Sequence, residues 1–164
     1  MKILSLKRKG NNILITLDDN SDFLIDYRTF VDFRIHKDVE ISIELMKLLS
    51  QESSFVKCKD SAFRFLARRL HSTKELKLKL QKKNYSKEII DKTIFHLNEQ
   101  NYLNDEEFAL QFVKEKISRG KIGINKIVSE LKNKGINNEI TQKIISSIDN
   151  NTFNDNINTA IQNN

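Results

Sequence analysis

The stretch Ser72-Thr73-Lys74-Glu75-Leu76-Lys77-Leu78-Lys79-Leu80-Gln81-Lys82-Lys83-Asn84-Tyr85 decides how this chain is read. A hydroxyl followed three residues later by a carboxylate is a capping box, able to satisfy two backbone N–H groups at a helix start. Leu76 and Leu80, at i and i+4, then fall on one helix face, and Asn84 marks the stop. Sliding the chain by 51 positions brings a second copy of this pattern into register. Leu76 falls on Ile127, Leu80 on Leu131, Lys83 on Lys134, Asn84 on Gly135 and Tyr85 on Ile136. The match extends upstream (Leu66 on Ile117) and downstream (Ile89 on Ile140, Ile94 on Ile145, Leu97 on Ile148). Apolar positions meet apolar positions and a stop meets a stop, so a three-helix unit is used at least twice. Asn104 on Asp155 and Ala109 on Ala160 make 152–164 read as the opening of a third unit.

The same grammar extends outward. Ser86 is placed to cap a helix carrying Ile89, Ile90, Ile94 and Leu97. Asn104, followed by Asp105, Glu106 and Glu107, opens another with acids suited to its N-terminus, and Gly120 is its expected stop. Helices are expected at about 123–134 and 138–148. Upstream, 59–70 interleaves Ala62, Phe63, Phe65, Leu66 and Leu70 with arginines, and Ile41, Leu45, Leu48 and Leu49 form an earlier amphipathic segment. The first third reads as strands: Ile3–Arg8 and Ile13–Leu17 around the turn Lys9–Asn12, then Phe23–Ile25 after a polar turn. Phe30–Ile35 is either a fourth strand or an irregular link. The expected fold is mainly α, with tandem three-helix repeats forming an elongated, curved array behind a small N-terminal antiparallel β meander. Its expected divisions are a meander over 1–38, a linking helix over 39–56, repeats over 57–100 and 101–149, and an incomplete third repeat over 150–164.

The chain has 164 residues, 38% hydrophobic and 30% charged. No apolar run approaches the roughly 20 residues that span a bilayer, and the basic start Met1–Gly10 has no apolar segment behind it. A single cysteine, Cys58, precludes an internal disulfide. A cytoplasmic protein is expected. Charge is unevenly spread: 1–56 carries 8 basic and 9 acidic side chains, 57–134 carries 19 and 10, and 135–164 carries 1 and 3. Within 57–83 there are 10 basic and 2 acidic residues. Such a segment suits a polyanion or an acidic protein surface.

Nothing in the chain assembles a reaction. His36, His71 and His96 have no partners at ligand spacing and read as surface or rim histidines, and Cys58 reads as a plain buried or half-buried thiol. The four glycines build no phosphate-cradling loop, and Asp18, Asp19 and Asp22 belong to a solvated turn. Phe63, Phe65, Phe108 and Phe112 lie on apolar helix sides, leaving Tyr85 and Tyr102 as the candidate exposed aromatics. No catalytic, cofactor or metal site is expected. The candidate contacts are basic: Arg64, Arg68, Arg69, Lys74, Lys77, Lys82, Lys83, Arg119, Lys121 and Lys126.

Three pieces, in order, resemble the signatures of the RecX family. They are Leu66–Leu76 continued by Leu80-Gln81-Lys82-Lys83; Asn101–Ala109; and Ser118-Arg119-Gly120 followed by Ile127, Glu130-Leu131 and Lys134-Gly135-Ile136. The likeness covers 58–148 strongly and the N-terminus loosely. It implies a non-enzymatic regulator that lies in the groove of the RecA–DNA filament and restrains RecA's ATPase, strand-exchange and coprotease activities. Arg69, Ser72, Glu75 and Gly120 fall on family motif positions. Family members usually carry three full units, and the third is incomplete here. The resemblance implies a monomer that binds the RecA filament, with single- or double-stranded DNA as a further partner and no membrane. The rival reading is a nucleic-acid-binding module that uses the basic face of 57–134 directly, with steep salt dependence and no need of RecA.

Overall fold

The computed structural model describes residues 1–119 and 123–148. Strands β1 (Ile3–Lys9), β2 (Asn12–Leu17) and β3 (Asp22–Asp26) form an antiparallel meander in the order β1-β2-β3. Gly10 at φ +60° makes the tight turn that pairs Lys9 with Asn12. Ile13, Ile15 and Leu17 alternate onto the buried face, while Leu24 lies on the open one. The free edge of β1 is covered: Ile3 N–H donates to the Val39 carbonyl at 3.0 Å and Asp38 N–H to the Ile3 carbonyl at 3.0 Å.

Of the segment left open, Phe30–Ile35, the first three residues belong to a short helix, α1 (Tyr27–Asp32), and the rest is an irregular link. Asp26 explains the helix, because its carboxylate accepts from Arg28 N–H at 2.9 Å and caps it. The two expected helical segments upstream of residue 70 are one helix, α2 (Ile43–Leu66), capped by Ser42. The expected boundary between 56 and 57 falls inside it. Its first half covers the sheet, where Leu49 joins Ile3, Ile13, Ile15, Leu17, Ile25, Ile35 and Ile41 in one core. Its second half belongs to a different core, with α3 (Thr73–Gln81) and α4 (Lys87–Glu99). There Cys58 and Ala62 meet Leu76, Leu80, Ile90, Ile94 and Leu97. Helix α2 is thus a shared spine for the meander and the first three-helix unit.

Helices α5 (Asp105–Ser118), α6 (Ile124–Asn133) and α7 (138–148) build the second unit around Phe108, Ala109, Val113, Ile127, Leu131 and Ile144. The 51-residue register holds in physical detail. Ser86 and Asn137 cap α4 and α7 through Ile89 N–H and Ile140 N–H. Asn84 and Gly135 both take left-handed backbone, at φ +62° and +82°. One pair exchanges roles: Ile90 and Thr93 are buried in α4, and their counterparts Thr141 and Ile144 are buried in α7. Each threonine hydroxyl donates to the carbonyl four residues back, at 2.8 Å, so either order fills the layer without an orphan donor. Leu66 and Ile117 do not match as core, since Ile117 is exposed. The expected third unit, 150–164, lies outside the described residues. Among the described residues no helix is long and apolar enough to cross a membrane, and no cluster of His, Cys, Asp or Glu is arranged to hold a metal ion.

Candidate binding surface

The two units dock through the start of α3 and the end of α6. Ser72 Oγ accepts from Glu75 N–H at 3.2 Å, as a capping residue should, and donates to the Lys134 carbonyl at 2.7 Å. Glu75 does not turn back to complete a reciprocal capping box. Its carboxylate instead receives Lys134 Nζ at 2.6 Å and Arg69 Nη1 at 3.0 Å. Thr73 N–H donates to Asp105 at 2.7 Å, and Lys74 Nζ donates to the Asn133 carbonyl at 3.0 Å. Burial works to raise the Glu75 pKa, but the hydrogen bonds from Lys134 and Arg69 outweigh it and hold the carboxyl below its ordinary value.

The contact is close enough to fix a residue type. A Cβ on Gly135 would lie 2.7 Å from Lys74 Cβ, and φ +82° already disfavours a side chain there. Asn84, the counterpart of Gly135, has the same backbone but tolerates a side chain. Among the described residues the junction is used once. By register, Ser72 and Glu75 correspond to Gly123 and Lys126, and α6 starts with no side-chain cap.

Beside this junction lies a histidine that is not on the surface. His71 is only 2% exposed, its Nδ1 sits 2.9 Å from the Arg69 carbonyl, and its Nε2 is buried without a partner. A carbonyl can only accept, so Nδ1 carries the proton and Nε2 is a bare acceptor. Burial pushes the His71 pKa down, and the Arg69 and Lys79 charges push the same way. Cys58 is fully buried, which raises its thiol pKa despite a contact with Thr93.

The basic candidates divide by what they already hold. Arg69 and Lys74 are spent on the junction. Lys77 pairs with Asp91 at 2.8 Å, binding α3 to α4, and Arg119 pairs with Glu115 one turn back. Arg64, Arg68, Lys82 and Lys126 are exposed and have no ion-pair partner among the described residues. Lys83 is also exposed, with Nζ 5.9 Å from the Phe65 ring centre, and Lys121 lies outside the described residues. The structure brings Arg64 and Lys83 together beside Lys57, a residue outside the sequence-based set. Sequence reading also missed Phe95, 68% exposed and the most exposed aromatic among the described residues. Its signal was available, since residue 95 falls off the face defined by Ile90, Ile94 and Leu97. Tyr102 is exposed as expected, with its ring edge-on to Phe63, whereas Tyr85 is half-buried and bonded to Ser61 and the Lys57 carbonyl.

These two docked units coincide with known family domains. Residues 58–97 match the model of the RecX first three-helix domain, and residues 104–143 match that of the RecX second three-helix domain. The chain belongs to the RecX family. It is 35% identical over 150 residues to the regulatory protein RecX of Clostridium perfringens (strain 13 / Type A), covering 91% of this chain and 69% of that protein. It is 31% identical over 143 residues to the regulatory protein RecX of Clostridium botulinum (strain Eklund 17B / Type B), covering 87% and 66%. The chain therefore spans about two thirds of the length of these RecX relatives. A crystal structure of a regulatory protein RecX superposes with a TM-score of 0.72 at 18% identity, over 90% of this chain and 73% of that one. RecX from Lactobacillus salivarius gives 0.54 at 24% identity, over 56% and 60%. Both structural likenesses bear on the fold alone. The first-domain match includes Ser72–Glu75 and the second-domain match includes Lys134–Gly135, so these contacts join the two matched domains.

Proposed function

We propose that this chain is a non-enzymatic regulator that binds the RecA–DNA filament and restrains RecA's ATPase, strand-exchange and coprotease activities. The observation that supports it is the docked pair of RecX units, with Arg68, Lys82 and Lys126 left unpaired on their surfaces. A filament presents the same acidic and phosphate groups at regular intervals, and two units held at fixed separation meet successive repeats without a new ordering cost. Differential affinity for filament states then shifts the balance between growth and disassembly. In this reading the protein acts as a monomer in the cytoplasm.

The test is DNA-dependent ATP hydrolysis by the cognate RecA, titrated with this protein at near-physiological salt. Inhibition at concentrations well below those that coat bare DNA is the expected result. No inhibition, or inhibition only once bare DNA is saturated, sinks the filament reading and favours a plain nucleic-acid-binding surface.

A further inference from the structure

The two units share a recess of about 240 Å³ beside their junction, and neither unit builds it alone. Its floor comes from the second unit, where the Phe108 and Phe112 rings stack with centres 6.0 Å apart and planes 19° apart. Leu70, from the link between α2 and α3, adds an apolar wall and packs on the second unit's core. Gln111 is exposed at the recess, its side-chain amide without a hydrogen-bond partner among the described residues. At about 240 Å³ the space falls below the roughly 300–1,000 Å³ typical of small-molecule sites, a size for a single large side chain instead.

The charge around the recess is unbalanced. Glu115 is held by Arg119, and Glu130 by Lys116 at 2.6 Å. Glu75 answers two cations, Arg69 and Lys134. Although its charge is engaged there, Arg69 bonds through Nη1 alone, to Glu75 and to the Leu70 carbonyl. Its Nε and Nη2 have no partner among the described residues, and 51% of its side chain is exposed. A guanidinium edge with free donors on two nitrogens matches a carboxylate in geometry as well as in charge. Lys134 Nζ lies 5.3 Å from the Phe112 ring centre and 5.8 Å from that of Phe108, so the surplus cation adjoins the aromatic floor. An apolar pocket beside unanswered charge is how a protein surface takes one anchoring side chain from a partner.

We infer that the recess between the units docks a protein segment in which a large apolar side chain stands next to a carboxylate. The side chain fills the space over Phe108 and Phe112, and the carboxylate takes the free edge of Arg69. The inference rests on the filament reading for the protein that carries the segment, RecA, and deepens it by naming the feature that is read. The junction gains a second task, since the recess exists only while the units are docked.

Two measurements on the full chain test it. In the first, without RecA, NMR follows the Gln111 side-chain amide and Arg69 Nε on addition of the end-capped dipeptide phenylalanyl-aspartate at millimolar concentration. Shifts confined to the recess are expected, and phenylalanyl-asparagine should bind at least about fivefold more weakly. No shift, or equal shifts from the two dipeptides, would overturn the proposal. In the second, ATP hydrolysis by RecA is titrated with variants at exposed positions. Gln111→Trp fills the recess and Gln111→Glu sets a carboxylate beside it; each is expected to raise the half-inhibiting concentration about fivefold or more. Gln111→Lys, and Asn98→Trp on α4 outside the recess, should stay within about twofold of the parent. Thermal melts matched to the parent show that each variant folds. Inhibition by Gln111→Trp or Gln111→Glu equal to the parent's also overturns the proposal. If the parent itself does not inhibit, RecA falls as the partner together with the filament reading, and the dipeptides alone decide the recess.

Discussion

Glu75 and Lys134, 59 residues apart in the chain, meet at 2.6 Å across the boundary between the two three-helix units. Both side chains are mostly shielded, and Arg69 braces the same carboxylate. Glutamine in place of Glu75 keeps the side chain's shape but leaves the Lys134 ammonium and the Arg69 guanidinium facing a neutral amide. Glu75→Gln is therefore expected to cost about 2 kcal/mol, the usual scale for a part-buried bond to a charged group. Chemical denaturation at neutral pH measures it. A loss below about 0.5 kcal/mol, the level of a surface pair, would mean that the units are held by packing alone.

The same pair has a signature in acid. The folded state lowers the Glu75 pKa from an ordinary value of 4.5. Its contribution is thus complete above that value and is lost as pH falls through the lower folded one. The parent protein should lose stability faster than Glu75→Gln on acidification below about pH 4.5. Parallel curves for the two proteins would refute the linkage.

His71 acts in a higher window with the same sign. Its folded pKa is lowered from 6.5, so the unfolded chain takes up the proton first and stability declines as pH falls below about that point. His71→Phe fills the space beside Phe65, removes the bare Nε2 and is expected to flatten the melting temperature between pH 7.5 and 5.5. Unchanged pH dependence in the variant would assign the loss to other groups.

Gly135→Ala brings a methyl group against Lys74 in a backbone that disfavours it. A destabilisation of about 2 kcal/mol or more is expected, whereas Asn84→Ala, at the same backbone without the close neighbour, should cost about half that or less. Equal effects would show that conformation, not inter-unit contact, decides the residue.

RecA inhibition should separate the free cations from the spent ones. Combined Arg68→Ala, Lys82→Ala and Lys126→Ala is expected to raise the concentration needed for half-inhibition about tenfold. Lys77→Ala, which breaks only the pair with Asp91, should leave it within about twofold. The reverse order would place the contact surface elsewhere.

Local chemistry was legible in the sequence where it acts within a turn or two. Ser72, Ser86 and Asn104 cap the helices they precede, and Leu76, Leu80, Ile127 and Leu131 are buried as their spacing requires. Readings failed where a partner comes from elsewhere in the fold. The segments expected on either side of residues 56 and 57 are one helix, and Ser53 Oγ within it accepts from the buried Asp26 N–H at 2.7 Å. His71 looked peripheral because nothing in the spacing of the histidines signals that its ring turns inward, with Nδ1 on the Arg69 carbonyl and the ring beside Phe65. The exchange of Ile90 and Thr93 for Thr141 and Ile144 escapes a search that pairs apolar with apolar. Cation pairings between helices have no sequence signal, unlike Glu115 and Arg119 four apart on one helix: Lys77 and Lys126 look alike until Asp91 is in place.

A duplicated unit carries a hazard, since a face that fits the next unit of its own chain also fits that unit in a neighbouring molecule. Head-to-tail contacts of this kind need not close and can run on into fibres. Here the matching face of the second unit presents Gly123 and Lys126 where the first presents Ser72 and Glu75. An α6 terminus from another copy would find no hydroxyl there, and its Lys134 would face a like charge. Divergence at two positions lets the fold repeat within a molecule while discouraging its repetition between molecules.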